Sequence, residues 1–201
     1  MRKIIAGLFI SLDGVVEAPD QWHFPYFNDE MGEAVGGGMS EADTILLGRK
    51  TYEEFASYWP QQPSDVPPGD FMNGTPKVVV SNTLKTADWR PTTVISGDVV
   101  GQLNALKDQP GKNINIIGSP TLVRTLLRDG VLDELRLLVH PIVVGEGQRL
   151  FDPGDGTIGL RLTSSATLKT GVLNLIYERA PLGDNDAARD ALMQADASNP
   201  E

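Results

Sequence analysis

Two segments of this 201-residue chain run from an apolar stretch into a glycine and then into a helix start. In Ile45-Leu46-Leu47-Gly48-Arg49-Lys50-Thr51-Tyr52-Glu53-Glu54, two bases stand at the head of the helix. A helix N-terminus presents unpaired N–H groups and a partial positive charge. Arg49 and Lys50 placed there would complete an anion site. Thr51 and Glu54 have the spacing of a capping box, so the segment reads equally well as an ordinary capped helix with two solvated bases. The second segment is Ile114-Asn115-Ile116-Ile117-Gly118-Ser119-Pro120-Thr121-Leu122. Ser119 suits an N-cap, and Pro120 suits the first helical position, where its missing N–H costs nothing. Gly118 would let a ligand approach the backbone. Taken alone, this is first of all a well-formed turn. Two such turns at the ends of parallel strands are more telling, because ligands of open α/β sheets bind there.

Other chemistry-bearing residues are fewer. Asp13-Gly14 closes the first apolar run. The pair favours a simple turn, and the alternative is an acid at a sheet-end pocket that orients substrate or supports proton transfer. Trp22-His23-Phe24-Pro25-Tyr26-Phe27 would either stack a flat ring or plug a core edge. The two histidines, His23 and His140, lack metal-ligand spacing, and no metal is expected. His140 lies in an apolar run and reads as a core histidine. Gly154-Asp155-Gly156-Thr157-Ile158-Gly159 matches GxGxxG formally. It lacks the strand before and the helix after that a dinucleotide fingerprint requires, so it reads as a loop.

These residues need a scaffold, and the pattern supplies one. Strands are expected at Lys3–Leu12, Thr44–Leu47, Lys77–Ser81, Thr93–Ser96, Asn113–Ile117, Glu134–Val144, Arg161–Lys169 and Val172–Arg179. Helices are expected at Asn28–Glu41, Thr51–Tyr58, Val99–Lys107 and Pro120–Arg128, with a Pro- and Gly-rich loop over Trp59–Pro76. Alternating strands and helices give an α/β domain with a mostly parallel sheet, and Thr170-Gly171 turns a C-terminal antiparallel hairpin. Residues 1–180 form the expected domain. Pro181 to Glu201, with five acids and one base, reads as a disordered acidic tail with at best a short helix near Asp186 to Ala195.

Composition narrows the function. The formal charge of −10 argues against a nucleic-acid groove or adhesion to anionic membranes. The chain has no cysteine, which excludes disulfides, thiolate nucleophiles and Cys-based zinc, and suits a reducing cytoplasm. The apolar start is a strand rather than a signal peptide. No apolar run approaches the roughly 20 residues of a membrane helix.

Taken together, these motifs resemble the dihydrofolate reductase-like superfamily, in the branch of the RibD C-terminal (reductase) domain of riboflavin biosynthesis. The resemblance rests on Ile5-Ala6-Gly7 through Ser11-Leu12-Asp13-Gly14, on Gly48-Arg49-Lys50-Thr51, and on Val78-Val79-Val80-Ser81-Asn82. It continues through Gly118-Ser119-Pro120-Thr121-Leu122, Asp133-Glu134-Leu135-Arg136-Leu137 to Pro141, and Gly145-Glu146-Gly147 to Leu150-Phe151. It implies NADPH bound across the sheet and hydride transfer to a small flat heterocycle, pyrimidine- or pteridine-like. Ala6 would border the nicotinamide. Gly48, Arg49, Lys50, Thr51, Ser81 and Asn82 would hold the adenosine and phosphate end, and Gly118, Ser119, Pro120, Thr121 and Leu122 the pyrophosphate. Asp13 would be the polar group at the reacting centre, and Trp22 and Phe27 would wall the substrate.

Two positions depart from the pattern. Phe27 stands where folate reductases carry the acid that pairs with the pteridine, and Val15 stands where riboflavin-pathway reductases carry a lysine. Alternatives are therefore an authentic 5-amino-6-(5-phosphoribosylamino)uracil reductase with altered contacts, or a non-catalytic NADP-binding oligomer. Such proteins often form homodimers through the sheet, and the apolar run Leu135 to Val144 suits either an interface or a buried strand.

Overall fold

Strand β1 (Ile4–Ser11) is apolar on both sides and buried everywhere except at Gly7 and, in part, Phe9. Its even residues, Ile4, Ala6, Leu8 and Ile10, enter one core; Phe9, on the other face, packs into a second. In the computed structural model, which describes residues 1–62 and 68–181, β1 is the fifth strand of an eight-stranded sheet. The others are β2 (Ala42–Gly48), β3 (Lys77–Val80), β4 (Thr92–Ile95), β5 (Asn113–Ile117), β6 (Glu134–His140), β7 (Leu160–Thr167) and β8 (Leu173–Arg179). The order is β4-β3-β2-β5-β1-β6-β8-β7. The first six in that order run parallel, and β8 pairs antiparallel with β6 and β7. The expected α/β class, mostly parallel sheet and terminal hairpin are all present.

Among the described residues, five α-helices cover the two faces: α1 (Asp29–Ser40), α2 (Arg49–Tyr58), α3 (Gly69–Gly74), α4 (Val99–Lys107) and α5 (Pro120–Arg128). Leu103 of α4 and Leu122, Val123, Leu126 and Leu127 of α5 pack on Ile4, Ala6 and Ile116. Tyr52 of α2 and Met72 of α3 pack on Ile45, Leu47 and Val79 of the opposite face. Met31 of α1 joins Leu138, Leu168 and Val172 beside them.

The differences from expectation have local causes. The expected loop Trp59–Pro76 contains a 3-10 turn at Trp59–Gln61 and the short helix α3. Tertiary contacts override its Gly- and Pro-rich composition: Met72 is buried, and the Asn73 side chain donates to the Trp59 carbonyl and accepts from Trp89 Nε1. Strand β6 stops at His140 rather than Val144. Pro141 has no N–H to continue the ladder, and the Ile142 N–H turns back to the His140 carbonyl at 2.8 Å. The run from Leu135 is thus an interior strand between β1 and β8. The acidic stretch expected as a tail lies, from residue 182 on, outside the described residues. Among the described residues no helix is long and apolar enough to cross a membrane.

Candidate cofactor and substrate site

Adjacent strands β2 and β5 are followed by helices on opposite faces, α2 on one and α5 on the other. This is the topological switch point, where the helices diverge and leave a crevice beyond the strand ends. The two strand-to-helix turns are stitched together there. The Gly48 N–H donates to Ser119 Oγ at 3.0 Å, and the Ser119 N–H donates to Thr51 Oγ1 at 3.1 Å. This corrects the capping reading. Helix α2 begins at Arg49 with Gly48 as N-cap, so Thr51 lies inside the first turn and its hydroxyl serves the neighbouring turn. Ser119 holds the N-cap position of α5, but its hydroxyl does not cap that helix. Gly118 and Ser119 are both left-handed, at φ 60° and 55°. A serine held there stores strain of the kind that clusters at ligand sites.

The helix termini differ in charge. Helix α1 carries Asp29 and Glu30 in its first turn, α3 carries Asp70, and the Asp98 carboxylate caps α4. Acids belong there, because they complement the helix dipole. Helices α2 and α5 have no acid in the first turn, although the chain has 27 acids against 17 bases. Helix α2 instead starts with Arg49-Lys50, the unfavourable sign unless an anion binds. Arg49 makes a two-point contact with Glu53, at 2.8 and 3.1 Å. Lys50 is exposed and makes no ion pair among the described residues. At the end of β3, Ser81 Oγ accepts the N–H groups of Thr83 and Leu84. Asn82 Oδ1 accepts from the Gly97 N–H, tying the β3 and β4 ends together. Strands β3, β2 and β5 are consecutive and their registers align, so Ser81, Gly48 and Gly118 lie along one sheet edge about 10 Å long, while Asp13 lies further out, because β1 runs on past the level of Gly118.

The open floor is Gly7. It lies within β1, paired on one side with Ile117 and on the other with Arg136. It is nevertheless exposed, with no atom within 4 Å of where a Cβ would be. An interior strand of a parallel sheet is normally covered; a bare glycine there marks a place where a ligand approaches the backbone. Ala6, expected to border the nicotinamide, is fully buried in the opposite core. The exposed position is the next residue, Gly7, which was not among the expected site residues. Its signal was available, a glycine inside an apolar strand.

Trp22 and Phe27 part company. Trp22 is 7% exposed, donates from Nε1 to the Glu17 carbonyl, and meets the His140 ring edge-on at 5.2 Å. It is a core prop and not a substrate wall. Phe27 is 49% exposed at the head of α1 and lies over Gly32. His23 stacks on Phe9 at 4.6 Å, and His140 is fully buried among Phe9, Trp22 and Tyr26. His140 Nδ1 lies 2.8 Å from the Leu138 carbonyl, while His140 Nε2 and His23 Nδ1 have no hydrogen-bond partner among the described residues. Burial pushes both imidazoles below the usual histidine range.

Asp13 also needs correction. Its carboxylate accepts from Ser11 Oγ at 2.7 Å and from the Val144 and Gly145 N–H groups at 3.0 Å each, with Arg149 at 3.6 Å. The Ser11 hydroxyl and these backbone donors hold its pKa down to about 2. A group so placed is ionised at neutral pH and cannot donate a proton. Asp13 pins the loop after β6 to the end of β1. Glu30 is similarly engaged by the backbone N–H and ammonium of Lys169. Of the expected groups, the fold thus brings together Gly48, Arg49, Lys50, Thr51, Gly118, Ser119, Pro120, Thr121 and Leu122, with Ser81 and Asn82 beside them.

Comparisons with known proteins identify the fold and the family. The chain is 30% identical over 180 residues to the uncharacterised protein YyaP of Bacillus subtilis, covering 88% of this chain and 94% of that one. A putative riboflavin biosynthesis protein from Shewanella superposes with a TM-score of 0.68 at 21% identity, over 89% of this chain and 99% of the other. Dihydrofolate reductase from Enterococcus faecalis, solved with NADP(H), superposes at 0.58 with 17% identity, over 89% and 97% of the two chains. The fold is therefore that of dihydrofolate reductase, and since the model of the RibD C-terminal domain matches residues 2–174, the chain belongs to that family.

Proposed function

We propose that this protein is an NADPH-dependent reductase of a small, flat pyrimidine- or pteridine-like heterocycle. The observation that carries the reading is the pairing of two acid-free helix N-termini at the switch point, beside a bare glycine in the sheet. Arg49 and Lys50 would hold the 2′-phosphate with Ser81 and Asn82 alongside. The unpaired first-turn N–H groups of α5 would hold the pyrophosphate. Gly7 leaves room for flat rings against the backbone of β1. NADPH, when bound, supplies the hydride; the protein supplies orientation and electrostatics.

Phe27 at the head of α1 argues for a ring recognised by stacking rather than by a carboxylate. The phosphoribosyl substrate of the riboflavin pathway finds less support. Val15 is buried, Glu17 accepts from the Gln148 N–H, and Arg149 is beside Asp13, so none offers a free base for a ribose phosphate.

The test is titration of the purified protein with NADPH and NADH, followed by NADPH oxidation across a panel of pyrimidines and pterins. Arg49→Ala should weaken NADPH by about 10-fold, the scale of a charge-assisted contact, and leave NADH within twofold. Equal loss for both counts against the 2′-phosphate contact. Tight NADPH binding without turnover on any panel member identifies a binding protein in place of a reductase.

A further inference from the structure

The loop between β6 and β7 is held against the end of β1 in a way that β1 and β6 do not require. The backbone pairs antiparallel with residues 12–16: the Leu12 N–H donates to the Ile142 carbonyl, Val16 N–H to Gln148, and Leu150 N–H to Gly14, at 2.8 to 2.9 Å. Two carboxylates then take N–H groups from the same loop. Asp13 takes those of Val144 and Gly145, and Glu17 takes that of Gln148 at 2.6 Å. Gln148 is thus held through both its N–H and its carbonyl. Its side chain is exposed and reaches across to α5, where Nε2 donates to Thr121 Oγ1 at 3.3 Å.

Thr121 is the second residue of α5, two beyond Ser119. Its hydroxyl has one proton and two lone pairs. Once Gln148 occupies a lone pair, the proton is left to be given elsewhere. The Thr121 N–H is also without an intrahelical partner. We propose that Gln148 is a positioning residue for the pyrophosphate: it turns the Thr121 hydroxyl so that Thr121 donates twice to an anion at the head of α5, and Asp13 and Glu17 hold Gln148 in place to do so. This rests on the NADPH reading above and adds to it a loop that the strand-to-helix turns do not include.

The experiment compares wild type, Gln148→Ala, Thr121→Val and the double variant, with dissociation constants for NADPH, NADH and 2′-AMP and the Tm of each unliganded protein. Gln148→Ala should weaken NADPH and NADH equally, about 3- to 10-fold, the usual range for one hydrogen bond. It should leave 2′-AMP, which has no pyrophosphate, and the unliganded Tm unchanged. The double variant should bind no worse than Thr121→Val alone, because Gln148 acts through that hydroxyl. Gln148→Glu should be worse than Gln148→Ala, since a carboxylate would take the Thr121 proton for itself. Unaltered dinucleotide binding by Gln148→Ala, additive losses in the double variant, or an equal loss for 2′-AMP would overturn the proposal while leaving the reductase reading intact. A wild-type protein that binds neither dinucleotide would bring down both.

Discussion

Single side chains in this protein are placed by what they satisfy. Asp13 sits at the end of the central strand, where an acid invites a catalytic role, yet every strong contact of its carboxylate is with the scaffold. Asp13→Asn replaces one acceptor oxygen by a donor facing an N–H. It should lower Tm and weaken both dinucleotides, while the pH profile of substrate reduction keeps its shape. A profile that loses a limb would make Asp13 a proton carrier after all. Arg49 shows the converse. It stands at the wrong end of the helix dipole, and Glu53 offsets the misplaced charge. Because Glu53 competes with a bound phosphate for that guanidinium, Glu53→Gln should tighten NADPH about two- to fourfold and leave NADH unchanged. This is the scale of an exposed helical ion pair, and fluorescence titration reads it directly.

At the level of elements, the informative unit is the pair of turns after β2 and β5. Each turn was legible by itself: glycine after an apolar strand, bases or proline at the helix head. Their reciprocal bonds were not, because Thr51 and Ser119 are 68 residues apart, and local spacing suggested that each hydroxyl would cap its own helix. The stitch makes a specific stability prediction. Ser119→Ala keeps the left-handed strain and removes the acceptor of the Gly48 N–H, so it should cost about 1–3 kcal/mol. Ser119→Gly removes the same acceptor but relieves about 1 kcal/mol of strain, and should be the milder of the two. Urea unfolding at constant m value distinguishes the variants. The short helix α3 was hidden for a related reason: Asn73 and Met72 hold it through contacts with Trp59, Trp89 and Val79, none of them local.

For the whole molecule, the histidine pair and the sheet order matter most. His23 and His140 are buried and neutral, so the unfolded chain takes up protons below the ordinary value of 6.5 that the folded chain resists. Their contribution to stability is complete above that value and is lost as pH falls below it. Calorimetry from about pH 7 to about 5 should show Tm declining, and His140→Phe should flatten the decline. The depressed carboxylates Asp13 and Glu30 add their own loss only in more acid solution. The sequence by itself determined the alternation of strands and helices, the terminal hairpin and the two glycine turns, because these follow from periodicity and backbone preference within a dozen residues. It also carried the family resemblance in the order of its motifs. Only the tertiary structure decided that β5 returns between β1 and β2, which brings those turns together and leaves Gly7 uncovered. It alone turned Asp13 and Trp22 into supports and brought Gln148 to Thr121. Hydrogen-bond partners are chosen by whatever lies within about 3 Å in space, and separation along the chain does not encode that distance.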